Sequence, residues 1–496
     1  MYNLLSFNDI KNDANKWIAF IILVFVIKFF IFLVDPLPMF VMGDSHSYIT
    51  TSLTGWIPPD RSFTYGYFIK FTAVAAHSLD SLILAQVIMS GLNAILLAYI
   101  LSRFFLIQPM LSFFFGILCS VEPLQLLYER YVMTESLSLF LFVIYLLFIF
   151  FYLEKPRLLF LLIISILGTA AISVRLSFLP NILVNSVILP LIAAPAICKS
   201  YSIYCESLRS YLSNIFSHKK VFLKLILHIF FSIGLTMSFH YAYKNLNGYL
   251  SGKPAAYQYH SAFFLITSFA PIIEPVDFPD IEIANKIFDN LTYDLRDYHL
   301  RRVQHWNPGG LVDVMNRIIP DSLEANRIAK DTVINSLRRN PFGLLEIAKK
   351  GFLDYWSMDY LNVCIKGDID DRELPDYMLI KLRKYFSLYA DDLPFFRTFT
   401  NKYYFIAWPW YLFLLCLPFF TLIVLFICNR NLRKNVLIVF ISSAVIVAIS
   451  CTLIERPTIR YLHPLGWMSF IVIGSFINEI LTWVKSKKYS SSPDEK

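Results

Sequence analysis

The sequence predicts an α-helical polytopic membrane protein with about ten transmembrane helices and a mainly helical extracytoplasmic soluble domain. Three observations carry that expectation. The 496 residues are 57% hydrophobic, 17% aromatic and only 16% charged, a balance unsuited to water. Apolar runs close to the roughly 20 residues that cross a bilayer recur from one end of the chain to the other. Between them stands one long polar interval, residues 244–402, which holds most of the aspartates and glutamates.

The candidate spans, in chain order, are residues 17–34, 80–102, 104–121, 135–153, 158–173, 177–197, 221–243, 403–427, 436–454 and 462–484. The first run lacks a small-residue cleavage pattern and reads as a retained anchor rather than a signal peptide. Residues 1–243 then form an N-terminal membrane module of about seven spans, in which 35–79 is a long first outer loop. The interval 244–402 forms the soluble cap, 403–484 the C-terminal spans and 485–496 a tail.

Lysine and arginine in the short connections set the orientation. Lys11 and Lys16, Arg103, Lys155 and Arg157, the group from Lys199 and Arg209 to Lys220, the group Arg430 to Lys434, and Lys485 to Lys488 all fall on one face if the number of spans is even. That face is expected to be cytoplasmic, with both termini inside. The formal charge of +8 then reflects anchoring, and no basic run with interleaved aromatics suggests a nucleic-acid groove. Seven scattered cysteines, Cys205 among them, show no paired spacing and argue against a disulfide framework or a zinc site.

Within the cap, apolar positions return every three or four residues from Glu324 to Leu361, an amphipathic helical pattern that Pro341 divides in two. No strand series and no glycine-rich phosphate loop is visible, so a nucleotide site of the Rossmann kind is not expected.

The polar chemistry gathers on the opposite, outer face. Asp44 follows the first span in "DPLPMFVMGDSHSY", where it suits a helix N-cap and equally a general base with a locally raised pKa; Ser45 and His46 stand beside it as acceptor-binding or site-shaping residues. The following stretch, from Asp60 to Leu79, reads as an interfacial amphipathic helix. Glu129 and Glu135, in "YERYVMTES", suit a helix first turn, orientation of an acceptor, or a divalent cation shared with Asp44. Arg175 occupies a short turn between two apolar helices, either snorkelling or clamping a phosphate. In "IERPTIRYLHP", Arg456, Arg460 and His463 stand where positive charge is disfavoured, which marks them as candidates for holding a lipid-borne phosphate. A carboxylate to activate a nucleophile and cations to receive a leaving phosphate suit sugar transfer from a polyprenyl-phosphate carrier, and no nucleotide fold is needed for it.

The motifs "GDSHSY", "MTESLSLFLF", "ISVRLSFLP", "NPFGLLEIAKKGF" and "ERPTIRYLHPL", in that order along most of the chain, resemble integral membrane glycosyltransferases of the GT-C superfamily. The resemblance implies an inverting transferase of a bacterial inner membrane, its site and soluble domain facing the periplasm or exterior. Its partners would be a polyprenyl-phosphate sugar, a protein, glycolipid or glycan acceptor, and the bilayer. It implies Asp44 as base or acceptor-orienting residue, and Arg175, Arg460 and His463 as donor-phosphate candidates. Relatives often pair two acids in the first loop, whereas here Ser45 follows Asp44, which leaves a metal requirement open. An O-antigen-type polymerase or ligase, and a polytopic lipid or solute transporter, are the rival readings. The first shares the lipid-linked donor; the second asks for ionisable groups deep in the spans, of which Lys28, Asn93 and Lys224 are the main examples.

Overall fold

The computed structural model describes residues 7–41, 43–199, 218–369, 374–389, 398–456 and 458–490. Cys205, Arg209 and residues 491–496 of the tail therefore lie outside the described residues. Among the described residues all regular structure is helical, and the sole β-type pairing is an isolated parallel bridge between Met39 and Tyr131.

Among the described residues, seven helices are long and apolar enough to cross a membrane. They belong to α1 (Phe7–Val34), α4 (Leu79–Phe104), α7 (Glu135–Glu154), α9 (Leu179–Lys199), α10 (Lys219–Ser251), α22 (Arg433–Thr452) and α23 (His463–Ser490). Short helices α2 (Asp44–Thr54) and α3 (Thr64–Ile69) fill the first connection, and α5 (Pro109–Ser120), α6 (Pro123–Tyr128) and α8 (Leu158–Val174) complete the N-terminal half. The chain is a helical membrane protein.

Three expected spans differ. The run 158–173 yields the 17 residues of α8, at ~26 Å a little short of the ~30 Å hydrocarbon core. The run 104–121 yields only the 12 residues of α5, because the helix before it ends at Phe104, Leu106 turns into the left-handed region at φ 56°, and Pro109 restarts the helix. At about 18 Å, α5 is shorter than the ~30 Å hydrocarbon core. The run 403–427 is broken as well: α19 (Phe399–Ile406) leads into α20 (Trp408–Leu415) and α21 (Leu417–Ile427), and the latter two meet at 56°. Pro409 and Pro418 stand in their first turns, where a missing N–H and a fixed φ start a helix but cannot continue one.

The polar interval folds as a bundle of short helices: α11 (Ser261–Ser268), α12 (Ile281–Asp289), α13 (Arg301–Trp306), α14 (Leu311–Ile318), α15 (Ser322–Arg339) and α16 (Gly343–Asp354). They close on a hydrophobic core of their own around Ile266, Ile287, Leu311, Met315 and Ile347. Pro341 lies in the turn that divides α15 from α16, and α17 (Met358–Ile369) and α18 (Asp376–Phe386) lead back to the bundle.

The first connection is stitched to its surroundings at both ends. Met39 pairs with the backbone on either side of Tyr131, and the Ser45 hydroxyl donates to the Val132 carbonyl at 3.0 Å. Further on, the Pro59 carbonyl accepts from the backbone N–H groups of Tyr259 and His260, Ser62 donates to the Ser173 carbonyl, and Thr64 meets the Tyr243 hydroxyl at 2.5 Å. The stretch expected to lie flat at the interface is α3 continued by a π-helical turn at Lys70–Val74; it buries Tyr65, Ile69 and Ala73 and exposes Lys70 and Phe71.

Helix α16 reaches the bundle through Gly351. A β-carbon built there would sit 2.3 Å from the backbone carbonyl oxygen of Cys451 near the end of α22, an atom that cannot rotate away. Gly351→Ala is therefore expected to destabilise the protein by about 1–3 kcal/mol, as overpacked sites do. A thermal unfolding midpoint in nanodiscs checks this, and a midpoint equal to wild type would refute the close contact.

Candidate functional site

Asp44 is the first residue of α2, behind Gly43 at φ 83°, a left-handed backbone that glycine adopts without strain. Its carboxylate makes no capping bond, contrary to the N-cap expectation. It turns instead toward two arginines: Arg61 donates to Oδ1, and Arg460 Nη1 donates to Oδ2 at 2.7 Å. Arg61 also pairs with Asp60 at 3.0 Å and lies against the Tyr48 ring. Arg460 Nε donates to Glu135 Oε1, so one guanidinium joins the carboxylates of α2 and α7.

Arg175 completes the cluster. Its Nη2 lies 3.7 Å from Glu135 Oε1 and donates to the Arg460 carbonyl at 3.1 Å, while the guanidinium stacks over the Tyr461 ring. Its Nη1 is buried without a hydrogen-bond partner. Arg175 and Tyr461 wall a narrow cleft with Phe178, Ile446, Ile449 and Pro464, whose ≈ 10 Å³ is about the room one water needs. The Glu135 side chain is fully buried, and those of Asp44, Arg61 and Arg460 are 16%, 15% and 21% exposed.

Burial by itself raises the Asp44 pKa, because a charged carboxylate loses its hydration. The nearby charges and hydrogen bonds of Arg61 and Arg460 outweigh that effect and hold the group below the ordinary carboxylate value. The expected raised pKa is thus reversed in this arrangement.

A residue that sequence reasoning missed sets the position of Arg460. Asp368, near the end of α17, is buried and accepts from the Thr458 hydroxyl at 2.6 Å and from the backbone N–H groups of Ile459 and Arg460 at 2.9 and 3.2 Å. Its Oδ2 also receives the Tyr404 hydroxyl at 3.1 Å. One aspartate among many in a polar interval carries no local mark, so only the three-dimensional contact reveals it. Arg61 had a weaker sign, a cation in a short acidic turn behind Asp44.

The other expected residues separate. Ser45 is buried and spends its hydroxyl on backbone, accepting from the Val41 N–H and donating to the Val132 carbonyl. His46 faces away from the cluster, 3.1 Å from Lys381 Nζ and edge-on to Tyr377. Burial and the Lys381 charge lower its pKa. Glu129 belongs to a different place, a fully buried ion pair with Lys28 at 2.9 Å, so the role beside Asp44 is corrected for it. Arg456 packs over Gly367 rather than joining the arginine pair. His463 is buried against the Tyr128 ring, and neither ring nitrogen has a hydrogen-bond partner. The two carboxylates offered to a divalent cation, Asp44 and Glu135, meet across Arg460 instead. Among the described residues no group of three or more histidine, cysteine or acidic side chains is disposed to hold a metal ion.

Beside this cluster, Glu455 is partly buried against the cap, where the Trp306 indole N–H donates to Oε2 at 3.0 Å and His305 Nδ1 lies 3.2 Å from Oε1. Burial pushes the Glu455 carboxyl up to about 7 and the His305 imidazole down to about 4. The folded chain therefore keeps a proton on Glu455 that the unfolded chain releases near 4.5, and this contribution to stability is present below that value and lost as pH rises to about 7. His305 works in the opposite sense, its contribution present above its unfolded value of 6.5 and lost as pH falls to about 4, so the two groups largely offset each other over most of this window. Glu455→Gln, whose amide N–H replaces the acid proton, removes one side of that balance, and its unfolding midpoints are expected to rise with pH more steeply than those of wild type; a slope equal to wild type would remove Glu455 as a contributor.

No family model, no curated protein sequence and no solved structure matches this chain.

Proposed function

We propose that the protein is an inverting glycosyltransferase that moves a sugar from a polyprenyl-phosphate carrier to an acceptor hydroxyl of a protein, glycolipid or glycan, with the cluster of Asp44, Glu135, Arg61, Arg175 and Arg460 as its active site. The observation that carries this reading is Arg175: a buried guanidinium with an unpartnered Nη1, at the wall of a cleft, touching the backbone of a second arginine that already holds Asp44. A buried cation short of hydrogen-bond acceptors is complementary to phosphate oxygens.

In this reading the donor phosphate draws Arg175 and Arg460 away from the carboxylates. Asp44 then loses one of the two cations that keep its proton affinity low, and its burial raises that affinity toward the range of a useful base. The acceptor oxygen attacks the anomeric carbon from the face opposite the phosphate. A new carbon–oxygen bond forms, the old one breaks with its electron pair leaving on the phosphate, and the acceptor proton passes to Asp44. Glu135 holds Arg460 in register until the phosphate arrives.

The same reading sets the topology. Helix α8, helix α5 continued by α6, and the bent pair α20–α21 cross the bilayer alongside the seven longer helices, giving about ten crossings with both termini in the cytoplasm. The cluster and the cap of residues 244–402 then face the periplasm or exterior of a bacterial inner membrane. The backbone bonds from Tyr259 and His260 to Pro59 hold the start of that cap over the first loop.

A second reading, transport, rests on the Lys28–Glu129 pair inside the bundle and on the neighbouring Arg130, a buried guanidinium whose three nitrogens lack hydrogen-bond partners. Purified protein in lipid separates the two. Asp44→Asn is expected to lower release of free polyprenyl phosphate by about 10²–10⁴-fold with donor binding retained, the range for loss of a general base. Arg175→Ala is expected to weaken donor binding instead. Turnover by Asp44→Asn at the wild-type rate would exclude the proposed chemistry, and donor-independent lipid or solute flux would favour transport.

A further inference from the structure

Away from the cluster, a cavity of ≈ 330 Å³ opens between the turn of residues 296–299 and helix α16. That volume lies within the ~300–1,000 Å³ typical of small-ligand pockets. Arg296, Tyr298, His299, Lys350, Leu353 and Asp354 line it. Two of its polar atoms are shielded from water and lack hydrogen-bond partners: Asp354 Oδ2, which lies 3.8 Å from His299 Nδ1, and the hydroxyl of Tyr298, a residue only 4% exposed. Burial also raises the Asp354 pKa, as expected of a carboxylate short of partners. The Tyr298 ring lies between Arg301, 3.9 Å from its centroid, and Lys350. The cavity thus offers cations at its rim and, a few ångströms away, an acceptor in want of a donor.

The helix beside the cavity has an unpartnered apolar stripe. Phe342, Leu345, Leu353 and Trp356 are 73%, 64%, 54% and 46% exposed, and they recur at helical spacing with Lys349 among them. Lysine with apolar neighbours and a tryptophan is the composition of a helix lying in a bilayer interface, where the amine reaches back to the headgroups. Gly351 seats the opposite side of α16 on the last turn of α22, one of the apolar helices long enough to span a bilayer. Leu353 belongs to both the stripe and the cavity, so the two are continuous.

We propose that this cavity receives the headgroup of a zwitterionic phospholipid from the leaflet at the cluster's end of the bundle, its phosphate on Lys350 and Arg296, its ammonium on Asp354, and its acyl chains along the stripe of α16. A phosphodiester supplies the anion that the rim matches, and the ammonium supplies the N–H donors that Asp354 lacks. Continuity with the stripe favours a lipid over a free phosphate.

Native mass spectrometry of the full chain in detergent, with phosphatidylethanolamine as the probe, tests this. Wild type is expected to retain one more lipid than either Asp354→Asn or Lys350→Glu, with occupancy falling about tenfold in each, the scale of one lost charge-assisted hydrogen bond. The exposed substitution Lys330→Glu is expected to change nothing. Equal retention by wild type and both variants overturns the site, and displacement of the lipid by inorganic phosphate at equal concentration overturns its lipid source. A second measurement does not depend on those variants. A nitroxide at Leu353→Cys in nanodiscs is expected to be more accessible to oxygen than to a nickel chelate, the reverse of one at Ile334→Cys on α15, and the same ranking at both positions sinks the proposal.

Discussion

Arg460 lies between Asp44 and Glu135, and the arrangement of this end of the bundle follows from the need to keep those three charges together. Removing an ion from water costs several kcal/mol even after a protein relaxes around it, and breaking a buried pair from one side costs about 3–5 kcal/mol. Asp44, Glu135 and Arg460 come from three segments separated by 91 to 416 positions in sequence, so folding has to deliver all three to one place before Glu135 meets its partner and Asp44 its second one. The backbone answers that demand with short ties. The Met39–Tyr131 bridge and the Ser45–Val132 bond hold the loop of Asp44 against the segment that leads into Glu135. Asp368 collects three donors from Thr458, Ile459 and Arg460 and so fixes the turn from which the guanidinium extends.

Asp368 makes the cap and the membrane bundle mutually dependent. It stands in α17, which follows the cap core, yet every hydrogen bond it accepts comes from the turn before the last span or from Tyr404. Tyr355 reinforces the same joint, its hydroxyl donating to the Thr458 carbonyl at 3.0 Å and accepting from the Thr458 N–H at 3.1 Å. A shift of the cap by even an ångström would therefore move Arg460, and with it the partner of both carboxylates. If the cluster acts as the proposed active site, this joint is the natural place for coupling between substrate engagement and cap position.

The division between what the sequence disclosed and what it hid is physical. Long apolar runs are visible because hydrophobicity is a local property, and most of the spans were legible within a few residues. The breaks were less so: Pro109 and Pro418 were in plain view, but whether a proline kinks, starts or ends a helix depends on its neighbours. Among the site residues, Asp44, Glu135, Arg175 and Arg460 were legible because each is a charge beside an apolar run, where it needs a reason to exist. Glu129 satisfied the same rule and proved to be the partner of Lys28, since the rule identifies a buried charge but not its counter-ion. His463 and Arg456 were grouped with Arg460 by proximity in sequence, which a tight turn does not preserve in space. Asp368 was illegible, because a polar interval rich in acids gives no sign of which one is buried.

The paired state also explains why the cluster is both stable and incomplete. The carboxylates Asp44, Asp60 and Glu135 face the guanidiniums Arg61, Arg175 and Arg460, yet the pairing is uneven. Arg460 serves two acids at contact distance, whereas Arg175 reaches Glu135 only at 3.7 Å and leaves Nη1 unmet. An anion entering beside Arg175 gains the least-committed cation first and then competes with Glu135 and Asp44 for Arg460. Each guanidinium that turns toward it deprives a carboxylate of its partner in a place water reaches poorly, so the proton affinity of that carboxylate must rise. In the proposed mechanism, binding of an anion and preparation of a base are one rearrangement of the same charges.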